Sequence, residues 1–181
     1  MRFRARSEAF TPHRPARLSM PSIDRPDPVI LEHVLKEHRD LHARIVAVRE
    51  PLRAASGRPP TAAECKRLKD RLADLRDHLG DHFRREEEGG FLEESQTRLP
   101  RLSGEVRSLL AEHSGLLAEL DALAVRFANL IERLPLGDSA AEDWRGLAEA
   151  FESFSLHLVD HERHENMIVQ QGYNEDLGLT E

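Results

Sequence analysis

Histidine and glutamate recur at a fixed spacing in two segments of the chain. Both segments read His-x3-His-x3-Glu, and their members are His78, His82 and Glu86 in the first and His157, His161 and Glu165 in the second. Residues four apart lie on the same face of an α-helix, one turn above another. Each segment therefore presents imidazole and carboxylate groups toward a common point, which is a spacing typical of metal ligands.

The chain also contains a longer repeat. A Leu-x-Glu-His sequence ends at His38 and recurs 75 residues later at His113, while His82 and His161 lie 79 residues apart. We interpret this pattern as a duplicated helical hairpin, which would place two half-sites around a pseudo-twofold axis. Two half-sites predict two metal ions.

The ligand types determine which ions fit. A carboxylate can bridge two cations, whereas neutral imidazoles occupy terminal positions and suit iron, zinc, copper or nickel. The predicted bridges are Glu86 and Glu165. The predicted terminal ligands are four histidines, one from each predicted helix: His38, His82, His113 and His161. Because Cys65 is the single cysteine, the chain alone offers neither an iron-sulfur cluster nor a Cys-rich zinc site.

The remaining histidines are assigned by their distance from these ligands. His42 follows His38 by four residues and is a candidate fifth imidazole, although its counterpart in the repeat is Leu117. His78 and His157 come one turn before predicted ligands, where we expect them to support those ligands or line the end of the site rather than ligate the metal directly. The histidines predicted to lie on the surface are His13, His33 and His164.

Composition predicts a single all-α domain. The 181 residues are 39% hydrophobic, 33% charged and only 5% aromatic, which is typical of long helices. The net charge of -7 argues against a nucleic-acid-binding body. No apolar run approaches the roughly 20 residues needed to span a bilayer. We therefore expect a soluble cytoplasmic protein that binds neither nucleic acid nor membranes.

The first half of the chain contains two segments with apolar residues at helical spacing. One segment begins at Val29 and is predicted to end before Pro51. The next begins at a capping box formed by Thr61 and Glu64 and continues toward Gly89. These two segments form the first predicted hairpin.

The second half contains two more such segments. After a connector at residues 96–100, the third segment stops near Pro135. The fourth is predicted to be capped by Asp138 or Ser139 and to end at Gly172. Four amphipathic helices joined by short links predict an antiparallel up-down four-helix bundle.

The predicted bundle covers residues 29–172, between a terminal arm and a short tail. Residues 1–28 are rich in arginine and proline, and we predict that they form a flexible, disordered arm. The tail is predicted at residues 173–181.

Taken as a set, the motifs resemble the hemerythrin-like HHE cation-binding domain family. They are Glu37-His38, His82-Phe-x-x-Glu86-Glu87, Glu112-His113 and His161-x3-Glu165. The resemblance implies a non-haem di-iron centre bridged by two carboxylates and an oxo or hydroxo group. Leu117 stands where the invertebrate oxygen carriers have another histidine, so the pattern looks closer to bacterial iron-centre repair proteins and iron-sensing domains.

Three functions are compatible with such a centre. The first is reversible binding, storage or sensing of dioxygen or nitric oxide. The second is an enzyme that reduces peroxide or oxygen, or that takes part in iron handling and iron-centre repair. The third is a structural site in which a redox-inert metal such as zinc ties the bundle together. Ligation by His42 would favour the first, because it would leave fewer open coordination positions.

Overall fold

The fold consists of long helices, as predicted. The computed structural model describes residues 28–54, 60–88, 92, 100–133 and 140–174. Within these ranges lie four long α-helices and no strand: α1 Pro28–Ala54, α2 Ala62–Glu88, α3 Ser103–Arg133 and α4 Ala140–Asn174. A short 3-10 turn, Pro100–Leu102, leads into α3. The predicted all-α class is confirmed.

The helices form a closed antiparallel bundle. Each helix packs against the next one in the chain, and α4 packs against α1. Glu37 near the start of α1 meets His82 near the end of α2, whereas Ala47 further along α1 meets Arg71. The other neighbouring helices are also antiparallel. Two contacts show this for each pair of helices: Arg76–Asp121 and Glu87–His113 between α2 and α3, Glu112–His161 and Arg133–Asp143 between α3 and α4, and His38–Glu165 and Arg53–Glu152 between α1 and α4.

The predicted end of α1 is wrong by about one turn, because the helix continues through Pro51 to Ala54. A proline inside a helix lacks the N–H that would bond to the carbonyl four residues earlier. That carbonyl belongs to Ala47, and it accepts a hydrogen bond from Arg71 Nη1 of α2 at 2.6 Å. Arg71 therefore supplies a donor where Pro51 has none.

The capping box at the start of α2 is confirmed. The Thr61 backbone N–H donates to Glu64 Oε2 at 2.8 Å, and the Glu64 N–H donates to Thr61 Oγ1 at 3.3 Å. At the other end of the chain, α4 passes the predicted stop at Gly172 and ends at Asn174. The predicted caps of α4, Asp138 and Ser139, lie outside the described residues, as do residues 1–27 and 175–181.

Two apolar clusters fill the interior. The larger lies between all four helices and includes Trp144, Phe127 and Phe154. The smaller comprises Leu92, Leu102, Val106, Leu109, Ile168 and Val169. Along α3, His113 falls between Leu109 of the smaller cluster and Leu116 of the larger one. The predicted ligands therefore form a polar layer between two apolar layers. None of the described helices is long and apolar enough to cross a membrane.

Candidate metal centre

The structure brings six of the seven predicted ligands together. One group contains His38, His82, Glu86 and Glu165, and a second contains Glu86, His113 and His161. Within each group, one ligand atom from every residue lies within 4.8 Å of all the others. All four helices contribute, because each of them carries one of the four histidines.

Glu86 belongs to both groups. Its Oε1 lies 2.7 Å from His82 Nε2, and its Oε2 lies 3.3 Å from His113 Nε2. The two carboxylate oxygens thus face different halves of the centre. Glu165 falls in the first group only, with its Oε2 3.5 Å from His38 Nε2.

The converging atoms are buried, and their contacts with one another do not have the geometry of hydrogen bonds. Among the described residues, the buried atoms that lack a hydrogen-bond partner include Nε2 of His38, His82, His113 and His161, both carboxylate oxygens of Glu86, and Glu165 Oε2. Buried polar atoms in folded proteins are nearly always paired, and an unmatched cluster calls for a missing partner. A set of imidazole nitrogens and carboxylate oxygens directed at one another fits a metal site well.

The opposite nitrogens of three of these histidines contact carboxylates on a neighbouring helix. His82 Nδ1 lies 3.3 Å from Glu37, His113 Nδ1 lies 2.9 Å from Glu87, and His161 Nδ1 lies 3.0 Å from Glu112. A proton held on Nδ1 by such a contact leaves the Nε2 lone pair free to face the centre. These glutamates therefore orient the predicted ligands.

All three glutamates stand in the motifs that resemble the HHE family, but helical spacing predicts no role for them. A signal for two of them was present, because Glu37 and Glu112 keep the same 75-residue spacing as the histidines that follow them. Glu37 is held in turn by Arg85, whose Nε lies 2.9 Å from Glu37 Oε1. The pairing across helices depends on which residues face each neighbour, and helical spacing alone does not specify that.

The charges at the centre are strongly coupled. Burial lowers the pKa of His82, but the carboxylates of Glu86 and Glu37 outweigh burial and raise the pKa to about 9. Burial raises the pKa of Glu86, whereas contacts with His113 and His82 lower it to about 2. In the metal-free chain at neutral pH, protonated imidazole therefore supplies positive charge beside Glu86.

The other three histidines differ among themselves. Burial lowers the pKa of His38, yet Glu165 raises it above its ordinary value. Burial likewise lowers the pKa of His113, while Glu86 and Glu87 raise it overall. For His161, burial prevails and the pKa is lowered.

The two half-sites are not identical. Phe83 stacks on His113 with ring centroids 4.0 Å apart and an angle of 3° between the planes. The repeat puts Glu162 at the position equivalent to Phe83, 79 residues later. Burial raises the pKa of Glu162, and its Oε1 is a buried atom without a hydrogen-bond partner in the described part of the chain. One half-site thus has an aromatic wall where the other has a carboxyl group.

The histidines outside the two groups occupy different positions. His42, the seventh predicted ligand, is exposed and belongs to neither group. His78 is partly buried, and burial lowers its pKa. His157 is exposed on α4, where its Nδ1 lies 3.1 Å from Glu119. His164 is partly buried on the same helix, and the side chain of His33 lies outside the described part.

The sequence that forms this site matches the model of a known protein family. The family model of the hemerythrin HHE cation binding domain matches residues 29–171. The chain belongs to this family. The matched range includes all the residues of both groups. The two groups together therefore form a cation-binding site within a helical bundle. No curated protein and no solved structure gave a significant match.

Proposed function

We propose that this HHE protein holds two non-haem iron ions and binds dioxygen or nitric oxide at them, in order to sense or store the gas. The observation that carries the proposal is the position of Glu86, with one oxygen toward His82 and the other toward His113. A carboxylate between two sets of imidazoles can bridge two cations and offset their charge.

The ligand set supports iron over harder or softer metals. Each half-site offers two imidazoles, His38 with His82 and His113 with His161, together with carboxylate oxygens. Imidazole and carboxylate suit iron, whereas magnesium and calcium prefer oxygen alone and copper(I) prefers sulfur. A bound iron pair would supply redox-active, Lewis-acidic positions for a small diatomic ligand.

The walls of the centre support gas binding. Phe83 contacts the ring of His113 and meets the ring of His161 edge-on at 5.4 Å between centroids. Apolar clusters lie above and below the ligand layer, and sites for small apolar ligands are lined mainly by such side chains. His42 gives no such support: it is exposed and outside both groups, so the grouped residues supply four imidazoles, and the additional open coordination position favours activation chemistry.

Glu162 favours a second candidate, an enzyme that reduces peroxide or oxygen. Such reductions consume protons, and the raised pKa of Glu162 keeps its carboxyl group protonated more readily than an ordinary one. The group is electrostatically coupled to His38, which lies in the first half-site. Iron handling and iron-centre repair remain variants of this candidate.

The experiment is metal analysis of anaerobically purified protein, followed by visible spectra of the reduced form before air, after air and under vacuum. Gas binding predicts about two irons per chain and a spectrum that reverts under vacuum. Irreversible oxidation with turnover of added peroxide would favour the enzyme. One ion per chain, or mostly zinc after growth with sufficient iron, would contradict the di-iron proposal.

A matched pair of variants separates the two candidates. Glu162→Gln removes the ionisable group beside His38 while keeping the size of the side chain. We expect unchanged metal content and reversible gas binding in this variant, and Glu105→Gln on an exposed face of α3 is the control. If peroxide turnover is present in the wild type and lost only in Glu162→Gln, the enzyme is the better assignment.

A further inference from the structure

A groove opens on the outside of the bundle between α3 and α4. Its volume is about 430 Å³. The residues that line it are Glu112, Gly115, Leu116, Glu119, His157, Asp160, His161 and His164. With the exception of His161, these residues are not among the ligand groups of the centre.

The chemistry of the lining is selective for cations. Three carboxylates and three imidazoles line the groove, and neither lysine nor arginine is among these described lining residues. His157, Asp160 and His164 project from one face of α4, since they are separated by three and four residues. His157 Nδ1 lies 3.1 Å from both carboxylate oxygens of Glu119 across the groove. Imidazole and carboxylate together bind divalent transition metals, while the charge repels anions.

The groove reaches the metal centre through one side chain. His161 lines the groove and is also a member of the second ligand group. Its Nδ1 contacts Glu112, which lines the groove as well, and its Nε2 is directed inward, buried and unpaired among the described residues. His161 is therefore common to the groove and the centre.

Gly115 lies in the wall of the groove. A Cβ atom added at this position would meet no described atom within 4 Å, so the space beside it is empty. Any larger side chain at position 115 would project into the groove. Glycine in the middle of a helix costs about 1 kcal/mol relative to alanine. The residue therefore weakens α3 locally, and a large side chain in its place would occupy space in the groove.

We propose that this groove captures a divalent transition-metal ion and passes it to the centre. The inference rests on the proposed metal centre and adds the route by which that centre is loaded. Glu119 and His157 provide the first ligands for the incoming ion, and Asp160 and the ring of His164 extend the same surface. Glu112 and His161 then connect that surface to the second half-site.

The test measures how fast cobalt(II) enters the full chain after its metal has been removed with a chelator and its helicity verified. Gly115→Leu fills the groove without removing any ligand. Gly104→Leu is the matched control, because it lies on the same helix and a Cβ there would also meet no described atom within 4 Å. We expect Gly115→Leu to slow initial uptake by about fivefold or more, with the same final cobalt content. Gly104→Leu should load at the wild-type rate.

A second pair of variants tests the charge. Glu119→Gln should slow uptake and flatten its dependence on ionic strength, because steering by charge is screened by salt. Glu105→Gln removes one charge from an exposed position of the same helix and should leave both quantities unchanged. This pair also keeps the question decidable if Gly115→Leu folds poorly.

The outcomes for the groove and for the centre are separable. Wild-type rates in both Gly115→Leu and Glu119→Gln, with full cobalt content, would overturn the capture groove and leave the centre intact. Slowed uptake together with only one ion per wild-type chain would support the groove and count against the two-ion centre. If Gly115→Leu slows gas binding by metal-loaded protein but leaves cobalt uptake unchanged, the groove is a gas route and the inference is wrong.

Discussion

At the scale of single residues, the centre depends on histidines whose Nδ1 contacts a carboxylate while their Nε2 faces the centre. Nδ1 of His82, His113 and His161 contacts a carboxylate of the preceding helix, and Nε2 is buried without a hydrogen bond to any described group. The contact at Nδ1 fixes the ring orientation and increases the basicity of Nε2. The ligand geometry is therefore present before any metal arrives.

Glu86 and Glu165 should differ in how much metal they control. Because Glu86 belongs to both ligand groups and Glu165 to one, Glu86→Gln should lose most of both ions, whereas Glu165→Gln should retain about one ion. Elemental analysis of the purified variants measures this, and Glu88→Gln on the exposed side of α2 is the control. Full metal content in Glu86→Gln would refute the bridging assignment.

The orienting carboxylates should affect affinity more than stoichiometry. Replacing Glu37 or Glu112 with glutamine weakens the hold on His82 or His161, and loss of such partners typically costs about 10- to 100-fold in metal affinity. Competition with a chelator of known affinity measures the change. The idea fails if both variants bind metal as tightly as the Glu105→Gln control.

Metal-free protein should lose stability in alkali. The pKa of His82 is raised from 6.5 to about 9, so its stabilising effect is complete below about pH 6.5 and is lost as the pH rises through 9. The pKa of Glu86 is lowered from 4.5 to about 2, so its contribution is lost only in acid. We expect the Tm of chelated protein to fall between pH 6.5 and 9, and this slope to shrink in His82→Gln.

Metal-loaded protein should show the opposite trend. Ligation requires neutral imidazoles, so protons compete with the metal and stability should fall as the pH drops from about 6.5 to 4. Thermal unfolding of loaded and chelated protein over the whole range compares the two. Identical pH profiles for the two forms would contradict metal ligation by these histidines.

At the scale of helices, the end of α1 is stabilised by contacts from two other helices. Arg71 of α2 bonds to the carbonyl of Ala47, and the indole Nε1 of Trp144 in α4 donates to the carbonyl of Leu52 at 2.9 Å. Both acceptors lie in the region where Pro51 interrupts the helical hydrogen bonds. The proline is tolerated because side chains from the neighbouring helices contact this turn.

Trp144→Phe should lower stability without affecting the metal. The change removes a buried hydrogen bond and leaves a small cavity, at a cost of about 2 kcal/mol in the free energy of unfolding. Residues 144 and 161 of α4 are separated by about 25 Å along the helix axis, so the centre should be undisturbed. Chemical denaturation and metal analysis measure the two effects. Loss of metal at wild-type helicity would show that the two ends of the bundle are coupled.

At the scale of the whole molecule, the ligand layer lies between apolar clusters of unequal size. The larger cluster draws on all four helices, whereas the described members of the smaller one come from the 3-10 turn, the start of α3, the end of α4 and Leu92. Of the five buried polar or charged residues in the described part, four belong to the centre, and the fifth, Ser155, donates to the carbonyl of Phe151. Polarity inside the bundle is thus concentrated at the centre.

Removal of residues 1–24 should leave metal content, Tm and spectrum unchanged. The segment is rich in arginine and proline and contains none of the grouped ligands, and His13 is the single histidine lost. Comparison of the truncated and full-length proteins by iron analysis and thermal unfolding measures the effect. If the truncated protein binds half the iron or unfolds at a markedly lower temperature, the predicted boundary is wrong.

The amino-acid sequence by itself determined the helical class, the capping box at Thr61 and the candidate ligands. Helical periodicity is local, so a residue four positions from another must lie on the same face wherever the helix finally packs. The same Leu-x-Glu-His sequence ends at His38 and at His113, so the same local pattern occurs in both predicted hairpins. These features require no knowledge of which helices become neighbours.

The tertiary structure decided which of the candidates meet and what holds them. His42 follows a ligand by four residues, as a ligand would, yet its side chain is exposed. In contrast, Glu37 and Glu112 had no predicted role, yet they contact histidines of the next helix. The groove beside Gly115 likewise exists only between two packed helices. Such features depend on the rotation of each helix about its axis, which is fixed by packing of the whole core and not by spacing within one helix.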